Sequence, residues 1–206
     1  MRFLGIGAIV LVLFLLLTPL GVLIIVSEAD SLVTTKAPVD VDSAVNARRI
    51  AKQFYRGLMR SPTAPASQIT LSEQDINGII ALAIRGISAV KGHTEISNNG
   101  LEGKFSLKVA NNPFGEFINV TARIVPSTQG LVVDKLSVGG LKLSGKFLFS
   151  LVESVLNWTL DGEKLGTELL STVESVTITD SALTLAYRPI ENFSQKLTKL
   201  KGQVQF

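Results

Sequence analysis

Asn98-Asn99-Gly100, followed by Lys104-Phe105-Ser106-Leu107-Lys108-Val109, is the stretch that decides the fold. Asn-Gly between two extended runs is a hairpin signal, because both residues tolerate the positive φ of a tight reversal. After the turn Phe105, Leu107 and Val109 alternate with Lys104, Ser106 and Lys108, so one face of the strand is apolar and the other polar. The same period of two returns beyond Asn111-Asn112-Pro113-Phe114-Gly115. There Ile118, Val120, Ala122 and Ile124 alternate with Asn119, Thr121 and Arg123. Gln129-Gly130 then turns the chain into a further run over residues 131–138. One-sided alternation predicts an antiparallel sheet with one buried face and one wet face.

Outward from these strands the period changes to that of helices. Thr70-Leu71-Ser72-Glu73 has the capping-box pattern and opens an apolar run of Ile76, Ile79, Ile80, Ala83, Ile84, Ile87 and Val90, with Leu82 outside the main stripe. This predicts a long, buried helix. Residues 43–60 also read as a helix. Ala47, Ile50, Ala51, Phe54 and Leu58 share one side, while Arg48, Arg49, Lys52, Arg56 and Arg60 share another. Ser61-Pro62-Thr63-Ala64-Pro65 ends it. Downstream, helices are expected over 147–160 and 163–172, short strands over 176–179 and 183–187, and a polar helix over 190–201. Strands in runs flanked by helices place the domain in the α+β class rather than among doubly wound sheets. No internal repeat is evident.

Residues 3–26 carry no charge and are long enough to cross a hydrocarbon core of ~30 Å as a helix. Arg2 precedes this run, and Glu28 and Asp30 are the first charges after it, so the positive-inside rule places the N-terminus in the cytoplasm. The expected organisation is therefore a cytoplasmic N-terminus and transmembrane anchor over 1–26, a linker over 27–42 and a periplasmic α+β domain over 43–206. In full, the expected fold is an N-terminal transmembrane helix followed by a curved antiparallel sheet packed on a long buried helix. The competing expectation is a signal peptide cleaved after Ala29, but its apolar stretch would exceed the usual length of roughly 7–15 residues. The 206-residue length leaves room for one ordinary domain beyond the anchor. A net charge of +3 is too small and dispersed to indicate nucleic-acid binding. With no cysteine, disulfides, thiolate metal sites and a lipid-modified N-terminal Cys are excluded.

Few motifs point to chemistry. Gly140-Leu141-Lys142-Leu143-Ser144-Gly145-Lys146 matches a phosphate loop, but Phe147 stands where a Mg²⁺-binding hydroxyl is needed. A strand or turn leading into a helix is the better reading. His93 is the only histidine, which rules out multi-histidine metal sites and routes any His-containing triad through one residue. Glu73 and Asp75 complement a helix dipole, while Glu153, Asp161, Glu163 and Glu168 lie on or between helices as caps or solvated charges. Asn119-Val120-Thr121, Asn157-Trp158-Thr159 and Asn192-Phe193-Ser194 match the glycosylation triplet, a short pattern that decides nothing alone.

Ile69-Thr70-Leu71-Ser72-Glu73-Gln74-Asp75-Ile76-Asn77 opening a buried helix, then Pro113-Phe114-Gly115-Glu116-Phe117-Ile118, then Val138-Gly139-Gly140-Leu141-Lys142-Leu143, resemble small bacterial envelope proteins of the YpmS-like and YceB-like kinds. The resemblance follows the order of residues 43–188. It implies a curved antiparallel sheet wrapped over a long helix, similar to tubular lipid-binding domains. The chain departs from the pattern in lacking a lipidated Cys and in carrying Ser144 where Pro is common.

Together these readings predict a non-enzymatic domain at the bacterial inner membrane that binds a lipid or other apolar ligand between sheet and helix. The expected lining is Ile80, Ile84, Ile87, Phe105, Leu107, Ile118 and Val120. No cofactor, metal or nucleic acid is expected. The five cations Arg48, Arg49, Lys52, Arg56 and Arg60 are the expected contacts with anionic lipid, each contributing about 1 kcal/mol close to the surface. The alternatives are a scaffold or assembly subunit of an envelope complex, which would hold partners on an exposed sheet edge, and an enzyme of unknown type.

Overall fold

The computed structural model describes residues 22–34, 41–159 and 165–196. A hairpin forms in the expected stretch, joining β3 (Val90–Ser97) to β4 (Gly100–Lys108), but its turn is Asn98-Asn99, and Gly100, which takes the positive φ, already pairs with Ser97. Continuing the antiparallel order are β5 (Phe117–Val125), β6 (Val132–Val138) and the short β7 (Leu141–Leu143). Cross-strand pairs Phe105 with Val120, Leu107 with Ile118 and Val90 with Leu107, so the apolar residues do share one face. A shift of register between Arg123 and Ile124 bends the sheet. The α+β class and the curved antiparallel sheet hold.

A second sheet was not expected. It is built by β2 (Ser67–Ser72), β9 (Ala182–Tyr187) and β8 (Val173–Ile178), in that order and all antiparallel. Its apolar face carries Ile69, Leu71, Leu183 and Tyr187, which join Ile50 and Leu58 of helix α1 (Val41–Leu58) in the main core. Leu101, from the tip of the β3–β4 hairpin, packs into the same cluster and so ties the two sheets together. Helix α3 (Gly145–Thr159) leans on β6, and α4 (Leu165–Ser171) packs against α3.

The expected long buried helix is much shorter. Helix α2 spans only Glu73–Ala83, and of its side only Gly78 and Ala81 are fully buried. Ile84 forms its C-cap, Gly86 lies in the turn that follows with Ile87 just after it, and Val90 is already in β3. The apolar period ran on because Val90 satisfies the strand pattern as well as the helical one. The cap also moves two residues. Ser72, not Thr70, is the N-cap, and its hydroxyl accepts from the Asp75 amide while the Asp75 carboxylate accepts from the Ser72 amide.

The membrane-spanning helix is a correction. Among the described residues no helix is long and apolar enough to cross a membrane. Most of the run 3–26 lies outside the described residues. Its described end, residues 22–26, is helical and gives way at once to β1 (Ser27–Glu28), which pairs with Ile118 and Phe117 on β5. The apolar run thus ends inside the sheet instead of being spaced from it by a linker.

Residues 27–34, read above as linker, form a strap across the polar face of the large sheet. Asn119 is the buckle. Its side-chain oxygen accepts from the Leu32 amide at 3.0 Å and from the Ser106 hydroxyl at 2.6 Å. Its side-chain amide donates to the Asp30 carbonyl at 2.9 Å and to the Glu28 carboxylate. Ser106 in turn accepts from the Val33 amide at 3.0 Å. Asn119 and Ser106 are both buried, and Val33 is buried above them. Full pairing matters because each buried polar group left unpaired costs about 1–3 kcal/mol. Ala29 sits within this strap, so cleavage after it would cut β1 away from the sheet.

Candidate ligand-binding site

The sequence-predicted lining residues fall into two groups. Phe105, Leu107, Ile118 and Val120 form one patch on the large sheet, half-buried except for Leu107, which is 40% exposed. Ile80 joins them, since a side chain at Gly92 would meet both its methyl and the Phe105 ring. Ile84 is half-buried at the C-terminal cap of α2. Ile87 lies beyond the helix and is 50% exposed.

The open apolar space lies on the other side of α2. A cleft of about 480 Å³ separates α1 from α2 above the small sheet. Helix α1 contributes Ala47, Ile50, Ala51 and Phe54, α2 contributes Ile79 and Leu82, and the floor is Ile69, Leu71 and Leu185. Arg48 on the rim is its one charged residue. Leu82, outside the stripe predicted for α2, therefore has a purpose. On α1 the small Ala47 and Ala51 leave the space that larger side chains would fill.

Of the five cations, Arg49, Lys52 and Arg56 lie on the side of α1 opposite its buried Ala47, Ile50 and Leu58, Arg48 borders the cleft, and Arg60 follows the helix end. Arg60 folds back so that its guanidinium donates to the Ser67 hydroxyl at 3.3 Å. Exposed apolar side chains interleave with the cations: Val45 is 58%, Tyr55 41% and Met59 44% exposed. Below this helix Tyr187 is almost fully buried, with its ring 4.7 Å from that of Phe54 and its hydroxyl donating to the Gln53 carbonyl at 3.4 Å. Burial pushes the phenol above its usual range, opposed in part by the Ser67 hydroxyl and the Arg60 charge. Gly57 permits this approach, because a Cβ there would fall on the Tyr187 hydroxyl.

No family model, curated protein or solved structure matches the chain. The site must therefore be judged on its own chemistry. Among the described residues no three His, Asp or Glu side chains converge as a metal site. His93 lies 3.8 Å from Glu95 on the polar sheet face, away from the cleft lining. Glu153 accepts from the Thr167 hydroxyl at 2.5 Å, and Glu168 pairs with Lys196 at 2.6 Å, so both carboxylates join elements together. Asp161 and Glu163 lie outside the described residues, as does part of the predicted helix over 190–201. Glu73 and Asn77 are occupied too. Glu73 accepts from the Ile96 amide at 2.8 Å, and Asn77 both donates to the Thr94 carbonyl and accepts from its amide, at 2.8 and 2.7 Å. The glycosylation reading fails at Asn119, which is buried and fully bonded in mid-strand. The phosphate-loop match is β7 running into α3, with the Gly140 amide bonded to the Ile25 carbonyl.

Proposed function

We propose that this domain binds a lipid or another apolar molecule in the cleft between α1, α2 and the small sheet, and performs no chemistry on it. The observation that carries the reading is the cleft itself: about 480 Å³ of apolar space open to solvent, with one rim charge. That volume lies within the range of roughly 300–1,000 Å³ typical of small-molecule sites. A bacterial membrane surface is the proposed source of the ligand. Support comes from the outer side of α1 and the turn after it, where cations and exposed Val45, Tyr55 and Met59 match the chemistry of an anionic interface. The scaffold alternative has less support, because the β3 edge that would receive a partner strand is already bonded by Glu73 and Asn77.

The test is uptake of Nile red, a neutral apolar probe, by the full chain. Ala51→Phe fills the cleft from a position that is otherwise exposed. The variant is expected to weaken probe binding at least about tenfold, with little change in thermal stability. Absence of uptake by the unmodified chain, or equal uptake by the stable variant, overturns the reading.

A further inference from the structure

The apolar face of the small sheet changes character along its strands. Leu71 pairs with Leu183, Ile69 with Leu185 and Ser67 with Tyr187. The first two pairs lie toward the apolar cleft. At the third, one step of about 7 Å along the strand, a separate hollow opens. It measures about 570 Å³ and is lined by Arg56 and Gly57 of α1, by Arg60 just past the helix end, and by Ser67, Gln68 and Tyr187 below. Phe54 lines the cleft, Tyr187 lines the hollow, and their rings are in contact, so the two spaces adjoin.

This hollow collects donors. Arg56 stands in the last turn of α1 and Arg60 follows the helix end, so two like charges border one space. Among the described residues no carboxylate lines the hollow and neither guanidinium is paired with an acid. The bond from Arg60 to Ser67 ties its exposed guanidinium to the end of the small sheet. Planar guanidinium forks suit carboxylate and phosphate oxygens. We infer that the cleft ligand is amphipathic and anionic, with its apolar chain in the α1–α2 cleft and one carboxylate or phosphate held by Arg56 and Arg60. This rests on the proposed function and adds the ligand's head to it.

The experiment compares palmitate, its methyl ester and inorganic phosphate on the full chain, before and after the double substitution Arg56→Gln and Arg60→Gln. Palmitate is expected to bind at least about tenfold more tightly than the ester, and phosphate to compete with the acid only. The double variant should lose that preference while keeping ester affinity and melting temperature. Arg56→Lys with Arg60→Lys should keep part of it. Equal binding of acid and ester, or equal loss of both in a variant that still melts normally, overturns the inference but leaves the apolar site standing. Phosphate binding without uptake of ester, palmitate or Nile red overturns both and leaves a free-anion site.

Discussion

The two sheets treat their partly covered faces in opposite ways. On the large sheet, a polar face is sealed by the strap, and the buried Asn119 and Ser106 between them meet the strap's backbone groups. On the small sheet, an apolar face is left incompletely filled, with two spaces on either side of the Phe54–Tyr187 contact. A core maximised for stability would do the reverse, since voids forfeit dispersion contacts and buried polar groups gain little net energy. Under the proposed function, the large sheet is the frame and the small sheet with α1 the working part.

Asn119→Ala should break the frame most severely. It strips the buckle from the strap and leaves Ser106 and the Leu32 amide without their partner, at a cost of about 2–4 kcal/mol by chemical denaturation. Amide exchange should then rise in residues 30–34 before anywhere else on the sheet. Gly57→Ala addresses the working part. Its Cβ would displace the Tyr187 ring, and an overpacking cost of about 1–3 kcal/mol should exceed the helix-propensity gain of about 1 kcal/mol. A stabilised Gly57→Ala protein would show that the Phe54–Tyr187 contact yields easily.

The smallest effect is at alkaline pH. Burial raises the Tyr187 phenol in the folded state, so this group's stabilising contribution is complete below the unfolded value of about 10 and is lost as pH rises through the folded one. Tyr187→Phe should remove that alkaline limb from the stability profile and leave the neutral range nearly unchanged. An unaltered limb would assign it to another group.

How much of this was legible depends on the range of each interaction. The Asn98-Asn99 turn and the alternation around Phe105 and Val120 are local patterns, and they located the large sheet. Ser67–Ser72 alternates equally well, with Ile69 and Leu71 inward, yet its last residues also fit a capping box. Its true partner is far away: Thr70 bonds Thr184 across 114 residues, which no local period reveals. The strap has no period at all, since side chains elsewhere hold its amides. Of the expected ligand site, Phe105, Leu107, Ile118, Val120 and Ile80 do converge, but the cleft formed where α1 and the unrecognised β2 meet. Leu82 was the available signal, an apolar residue off the predicted stripe that needed a second neighbour.

The strap also orders events in time. Its partners Ser106 and Asn119 lie 73 and 87 residues downstream of the amides they receive. During synthesis the β4–β5 hairpin must emerge and pair before those amides have anything to bind, so the segment made early is seated late. Until then residues 27–34 are open to proteases and chaperones, and refolding of the finished chain should show strap docking as a step that follows formation of the sheet.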